Sequence, residues 1–161
     1  MSAGFVHLHV HSDYSVLDGA CKIDELLDKC DEFNMKACAL TDHGNLFGAV
    51  EFYQKAKNRG IKPILGCELY VAPEHRTDHK ARYFGSFNNH NLMLCRNLKG
   101  YNNLCRLSSA GYLEGFYYKP RVDDEIIKKY SEGLIATTSC LAGRVPQALM
   151  NEDMDEANRQ M

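Results

Sequence analysis

The chain has 161 residues, of which 45% are hydrophobic and 25% are charged, and its formal net charge is −2. This composition is typical of one globular domain with a sizeable core, and the charge excludes a basic nucleic-acid-binding surface spread over the whole chain. A phosphate-bearing partner would therefore be held locally, by metal ions or by small basic patches.

Histidine alternates with aliphatic residues near the N-terminus, and the alternation predicts a first strand over residues 5–10. Side chains two apart lie on the same face of a strand, so His7, His9 and His11 would share one face. Neutral imidazole is the commonest metal ligand in proteins. Three such rings, followed by the acids Asp13 and Asp18, indicate a metal site. The alternative is a half-exposed strand whose histidines are hydrogen-bonded.

Helical and strand patterns then alternate along the chain. The predicted elements are a polar loop over 12–20, an amphipathic helix over 23–33 that stops at Asn34, a strand over 37–40, a helix over 46–58 closed by Gly60, and a strand over 62–71. This β-α-β-α-β order with short connections predicts a parallel α/β arrangement, either doubly wound or a barrel.

Residues 73–88 interrupt this rhythm and predict a mobile flap, because they contain Pro, Gly, Asn and charge but little apolar periodicity. We expect the basic residues from His75 to Arg82 to form a solvated surface, with a phosphate-facing role as the alternative. The later predicted elements are a strand over 91–95 opened by His90, a helix containing 98–107, a short helix capped by Asp123 or Asp124, a strand over 134–138 and helical sequence towards 161.

The segment from Gly115 to Arg121 combines aromatic and basic residues. Such a segment can stack on nucleic-acid bases. We expect instead that its aromatic rings pack inside, with Lys119 and Arg121 exposed.

Residue types that bind metals collect around the ends of the predicted strands. In parallel α/β folds, ligands bind at the carboxyl ends of the strands, so these residues would meet on one rim. The candidates are His9, His11, His43, Glu68, His90 and Cys140. Mixed nitrogen, oxygen and sulfur ligands suit Zn²⁺ best, with Mn²⁺ or Fe²⁺ as alternatives.

Glu68 is the most informative of these candidates. It lies within an apolar strand, where a carboxylate is costly unless it is paired or metal-bound, and it could bridge two ions. His43 could instead be satisfied by the backbone, and Cys140 could be a core thiol.

The seven cysteines are odd in number and include no C-x-x-C spacing, which argues against a zinc ribbon and a disulfide scaffold. The N-terminus has no signal-peptide pattern, and no apolar run reaches membrane-spanning length. We therefore expect a protein of the reducing cytoplasm with no membrane partner.

Five separated motifs, in order, resemble those of the polymerase and histidinol phosphatase (PHP) family. They are His9-Val10-His11 with Asp18, Thr41-Asp42-His43, Gly66-Cys67-Glu68, His90 with Asn91-Leu92-Met93-Leu94, and Ser139-Cys140-Leu141-Ala142-Gly143. The resemblance spans essentially the whole chain. It is closest to the PHP domain at the N-terminus of bacterial replicative DNA polymerases, to which 5–15, 100–104 and 119–123 are also similar.

The resemblance implies a distorted (β/α)₇ barrel of parallel strands and surrounding helices, with a site for up to three metal ions on its rim. The ligands that it implies are His9, His11, Asp18, His43, Glu68, His90 and Cys140. His7 has no assigned role. The family's last motif, Asp-x-His, is absent, so we expect residues 1–161 to be the N-terminal part of a PHP domain whose barrel continues further.

The implied chemistry is metal-dependent phosphoester hydrolysis of the 3′–5′ exonuclease or pyrophosphatase type, within a DNA polymerase that acts in DNA replication. The implied partners are DNA, reached through that polymerase, its palm, thumb and fingers domains, and a proofreading subunit. Two alternatives stay open: a free-standing phosphatase of the histidinol-phosphate type, and a non-catalytic structural or docking module.

Overall fold

Strands and helices alternate around one mixed sheet in the computed structural model, which describes residues 4–16 and 18–161. The described strands are β1 (Ala37–Leu40), β2 (Lys62–Val71), β3 (Asn89–Cys95), β4 (Phe116–Tyr117), β5 (Lys119–Val122) and β6 (Leu134–Thr137). The described α-helices are α1 (Ile23–Glu32), α2 (Ala49–Asn58), α3 (Leu98–Leu113), α4 (Asp124–Lys129), α5 (Arg144–Met150) and α6 (Met154–Gln160), and a short 3-10 helix spans Asp13–Ser15. No described helix has both the length and the apolar character needed to span a membrane.

The directions of the strands confirm an α/β fold but change one expectation. β2 runs parallel to β1 and β5, as the β-α-β pattern predicts, whereas β3 runs antiparallel to both β2 and β6. The connection between β2 and β3 contains no helix that could carry the chain back across the sheet, so β3 starts at the edge where β2 ends. The ends of β2 and β6 and the start of β3 therefore share one edge, which we call the rim.

The predicted first strand over 5–10 is wrong as a regular strand. The segment lies beside β1, where the Ala39 amide donates to the His7 carbonyl at 2.9 Å and the Thr41 amide donates to the Val10 carbonyl at 2.8 Å. The backbone bends at His9, and no continuous ladder forms. His7 is exposed and packs edge-on against Phe5.

Helix ends follow local signals closely. Asn34 and Gly60 adopt the left-handed conformation expected of stop residues, with φ of 53° and 70°. Asp123, not Asp124, caps α4 by accepting a hydrogen bond from the Ile126 amide. The helical sequence after 144 is divided in two, because α5 ends at Met150 and Asp153 caps α6.

Two apolar clusters hold the helices to the sheet. One joins α1 and α2 to β1 through Leu27, Phe52 and Leu40, and the other joins α3 to β2 and β5 through residues that include Leu69 and Leu107. Each of these side chains is almost completely buried, and burial of such a side chain stabilises the fold by about 1.5–3 kcal/mol relative to leaving it exposed. The clusters fix the sheet whose edge forms the rim.

The predicted flap over 73–88 has no helix or regular strand, but Arg121 ties it to the sheet. The Arg121 side chain has 0% exposure. Its guanidinium donates to the carbonyls of Arg76 at 2.9 Å, Asp78 at 3.0 Å and Phe87 at 3.1 Å. The expectation that Arg121 is exposed is therefore wrong, because its five-donor fork satisfies carbonyls of the loop that no sheet partner reaches. The mobility of the loop stays a prediction.

Replacing Arg121 with leucine should lower the free energy of unfolding by about 2–4 kcal/mol, because several carbonyls would lose their donors. Urea denaturation measures this loss, and amide exchange around Asp78 should accelerate with it. Arg82→Leu is the matched control, since Arg82 is exposed and its hydrogen bonds to described residues all go to carbonyls within three residues of itself. Equal stability of the two variants would contradict the anchoring role of Arg121.

Candidate metal centre

Glu68 occupies the centre of the candidate site and is only 1% exposed. It lies on β2, and the Glu68 amide donates to the Asp42 carbonyl at 3.1 Å while the Gly44 amide donates to the Glu68 carbonyl at 2.9 Å. These bonds extend the parallel pairing beyond β1 as far as His43. Gly44 has a φ of 65°, which allows the chain to turn sharply at this point.

Three histidines surround one oxygen of this carboxylate. Nε2 of His9, Nε2 of His11 and Nδ1 of His43 lie 3.1, 3.2 and 3.2 Å from Oε2 of Glu68. The rings of His11 and His43 stack at 4.1 Å between centroids. The bend at His9 and the bonds to β1 thus bring the N-terminal histidines over the end of the sheet, although the segment is not a strand.

The other oxygen of Glu68 faces residues of β3 and of the loop that follows β6. Nδ1 of His90 lies 3.2 Å from Oε1, and the Ser139 hydroxyl donates to the same oxygen at 2.6 Å. Sγ of Cys140 lies 3.4 Å from Nδ1 of His90. Because β3 is antiparallel, the start of β3 lies at the rim, which explains how His90 joins residues at the ends of other strands.

Asp18 reaches this group through His43. Its Oδ2 lies 2.9 Å from Nε2 of His43, and its side chain is 57% exposed. Of the seven residues implied by the resemblance, Asp18 is thus the one at the solvent side of the cluster.

The sequence analysis quoted Asp42 within a motif but gave it no role in the site, and it gave none to Ser12 and Ser15. Asp42 is buried and accepts hydrogen bonds from the Ser12 amide at 2.6 Å and from the hydroxyls of Ser12 and Ser15 at 2.8 Å each. This network holds the loop after His11 against the residue before His43. Their positions in the sequence could have indicated this role, since Ser12 directly follows the histidine pair and Asp42 directly precedes His43.

The donor atoms fall into two groups that share Glu68. One contains His9, His11 and Glu68, the other contains His43, Glu68 and His90, and the atoms within each group all lie within 4.8 Å of one another. Four ligands at about 2.0–2.1 Å from a tetrahedral Zn²⁺ are separated by about 3.3 Å. The nitrogen–oxygen separations of 3.1–3.2 Å therefore match the spacing of ligands around such an ion.

Hydrogen bonding among the described residues leaves some of these nitrogens unsatisfied. Nε2 of His9, Nδ1 of His11 and Nδ1 of His43 are buried and have no hydrogen-bond partner. Nε2 of His9 and Nδ1 of His43 lie close to Oε2 of Glu68 but do not form a hydrogen bond with it. Buried polar atoms are normally satisfied. A cation would satisfy His9 and His43 through lone pairs, so the donor set fits a metal.

Burial and mutual charge shift the titration of these groups in opposite directions. Burial alone would raise the pKa of Glu68, but the close contacts of His11, His9 and His90 with the carboxylate outweigh it and hold the pKa of Glu68 far below its usual range. The bond to Glu68 raises the pKa of His11, whereas burial lowers the pKa of His43. Burial also raises the pKa of Cys140. The cluster therefore keeps its carboxylate ionised, as a metal ligand requires.

Tyr70 lies beside the cluster and was also missed. Its ring centroid is 5.8 Å from that of His43 and 5.1 Å from that of His90, and the ammonium of Lys119 lies 5.2 Å from the Tyr70 centroid. Burial raises the pKa of Tyr70 to about 12. The Tyr70 phenol is therefore protonated at neutral pH, and its ring contacts Lys119 as well as the two histidines.

The chain belongs to the PHP domain family, whose model matches residues 7–161. It is 48% identical to the DNA polymerase III subunit alpha of Borreliella burgdorferi over 157 residues, which cover 98% of this chain and 14% of that protein. It is 50% identical to the subunit of the same name from Chlamydia muridarum over 149 residues, covering 92% of this chain and 12% of that protein.

The chain thus spans about an eighth of the length of these curated relatives. A solved structure of an amidohydrolase from Chromobacterium violaceum is similar with a TM-score of 0.45 and 24% identity, covering 65% of this chain and 31% of that one.

Proposed function

We propose that the cluster around Glu68 binds at least two divalent metal ions, with Zn²⁺ as the preferred ion and Mn²⁺ or Fe²⁺ as alternatives. His9 and His11 would hold one ion with Glu68, and His43 and His90 would hold the other with the same carboxylate. Asp18 and Cys140 would complete the ligand set at the solvent side and beside His90. The arrangement of both groups around one buried carboxylate carries this proposal.

The chemistry that fits such a site is hydrolysis of a phosphoester. Bound divalent ions would acidify water and neutralise charge on phosphate oxygens. The chain's own contribution is to hold the ligands rigidly: Ser139 orients Glu68, and Asp42 fixes the loop that follows the histidine pair. Lys119 supplies a positive charge near the rim that could attract a phosphate.

The context that we propose is a bacterial replicative DNA polymerase, of which this chain would be the PHP part. High identity to the alpha subunits of DNA polymerase III supports it. Nucleotide addition would then belong to palm, thumb and fingers domains outside this chain, and DNA would be reached through the polymerase in the cytoplasm. The hydrolytic site would act as a 3′–5′ exonuclease or a pyrophosphatase, beside or instead of a separate proofreading subunit.

The test is hydrolysis by the purified chain loaded with Zn²⁺ or Mn²⁺. The substrates are a chromogenic phosphodiester, a single-stranded oligonucleotide, pyrophosphate and histidinol phosphate. We expect cleavage of the diester or oligonucleotide that EDTA abolishes and metal restores. Exclusive cleavage of histidinol phosphate would favour the free-standing phosphatase, and metal binding without any hydrolysis would favour a structural or docking module.

A further inference from the structure

The hairpin formed by β4 and β5 reverses the burial expected for the aromatic and basic segment. Arg121 is fully buried, whereas Phe116 is 55% exposed and Tyr118 is 73% exposed. A guanidinium thus lies inside while large aromatic rings face water. Exposed aromatic side chains gathered in one place indicate an interaction surface.

Tyr118 forms the tip of this hairpin in an unfavourable backbone conformation. Tyr117 pairs directly with Lys119, so Tyr118 alone makes the turn, and its φ is 58°. Glycine or asparagine adopts this left-handed conformation at lower cost than a bulky aromatic residue. We therefore attribute the presence of a tyrosine at this strained position to a role of its side chain and not to the needs of the turn.

Other rings support Tyr118 from behind. Its centroid lies 4.7 Å from that of Tyr117 and 5.7 Å from that of Phe87, and His79 stacks on Tyr117 at 4.3 Å. We call Tyr118, Tyr117, Phe87 and His79 the aromatic platform. Because its rings contact one another, Tyr118 is presented on a packed base rather than on a free loop.

Positive charge borders the platform. Arg82 lies over the Phe87 ring at 5.4 Å and hydrogen-bonds only to backbone carbonyls, and Lys119 lies over Tyr70. Within the described residues, neither Arg82 nor Lys119 pairs with a carboxylate. The acids Glu114 and Asp123 are instead paired with Arg76. Both cations are therefore available to phosphates.

The platform also adjoins the metal centre. Lys119 follows Tyr118 in the chain and lies 5.2 Å from the Tyr70 ring, whose other contacts are His43 and His90. The Tyr70 ring therefore contacts both the hairpin, through Lys119, and the cluster, through His43 and His90.

We propose that the aromatic platform, with Lys119 and Arg82, binds single-stranded nucleic acid and leads its end to the metal centre. The inference rests on the proposed phosphodiester hydrolysis and names its substrate class. Base–aromatic stacking tolerates any base, and the cations neutralise the backbone. Bases within a duplex are already stacked on their neighbours, so unpaired ends are the preferred ligand.

Fluorescence anisotropy with a labelled oligothymidylate, in EDTA to prevent cleavage, tests the proposal. Tyr118→Ala should weaken binding roughly tenfold, as expected for one stacked base. Lys119→Ala should lower the slope of log Kd against log salt by about 0.7, as expected for one phosphate contact. A blunt duplex should bind more weakly than the single strand.

Two controls separate stacking from folding. Tyr118→Phe keeps the aromatic ring and should bind like the unsubstituted chain. Tyr53→Ala removes an exposed ring from α2, far along the chain from the hairpin, and should not change the affinity for the oligonucleotide. Unchanged binding by Tyr118→Ala overturns the proposal. So does the absence of binding by the unsubstituted chain. Binding lost in Tyr118→Ala without any hydrolysis by the unsubstituted chain would sustain the platform and refute the proposed hydrolysis.

Discussion

Glu68→Gln is expected to lower phosphodiester hydrolysis by about 100-fold or more and to reduce metal content at both halves of the cluster. Glutamine keeps the shape of the side chain but removes the charge that faces four histidines. Changes to groups that merely support metal ligands cost about 10–100-fold, so loss of a carboxylate shared by two ions should cost at least as much. Metal analysis after dialysis, together with initial rates, measures both effects.

Glu51→Gln is the matched control for this prediction. Glu51 is a half-buried carboxylate on α2 that accepts hydrogen bonds from Tyr14 and Lys55, outside the cluster. It should retain the metal content and rate of the unsubstituted chain. Urea denaturation of the metal-free proteins shows whether Glu68→Gln still folds. A folded Glu68→Gln variant with unchanged metal content would refute the bridging role of Glu68.

Single histidine substitutions are expected to remove one ion each and to lower hydrolysis by about 100-fold. His11→Asn should affect the ion held with His9, and His90→Asn should affect the ion held with His43, because each ring belongs to a different group of donor atoms. The loss of one ligand from a small set weakens the ion it holds and spares the other. Isothermal titration with Zn²⁺ should show one fewer tight site in either variant.

His7→Asn provides the comparison, since His7 is exposed and its ring contacts Phe5 rather than the cluster. This variant should titrate like the unsubstituted chain. If His11→Asn and His90→Asn each removed all tight binding, the cluster would hold one ion rather than two. The assignment of two separate groups around Glu68 would then be wrong.

The alternation of histidines predicted a strand that does not form, although two of the histidines lie in the candidate metal centre. Residues 5–10 do not form a regular strand, and His7 is exposed and contacts Phe5. His9 and His11 nevertheless reach Glu68, because hydrogen bonds to β1 guide the backbone there. The alternation of histidine and aliphatic residues shows which residue types are two positions apart. It does not show how many backbone hydrogen bonds the segment will form with a neighbouring strand.

The amino-acid sequence by itself determined the α/β class, the positions of β1 and β2, the end of α1 at Asn34, a capping aspartate at the start of α4, and the residue types of the candidate metal centre. These features depend on short-range periodicity and local capping, which a few neighbouring residues decide. It also pointed to Glu68, because a carboxylate in an apolar strand requires a partner.

Only the tertiary structure decided the direction of β3, the burial of Arg121 and the exposure of Tyr118. Each depends on contacts between segments far apart in the chain: β3 with β2, Arg121 with the carbonyls of the 73–88 loop, and Tyr118 with Phe87. The residues that flank an arginine or a tyrosine in the sequence do not show whether its side chain will be buried or exposed. Their environment is set by which distant backbone groups need donors, and that is known only once the sheet has formed.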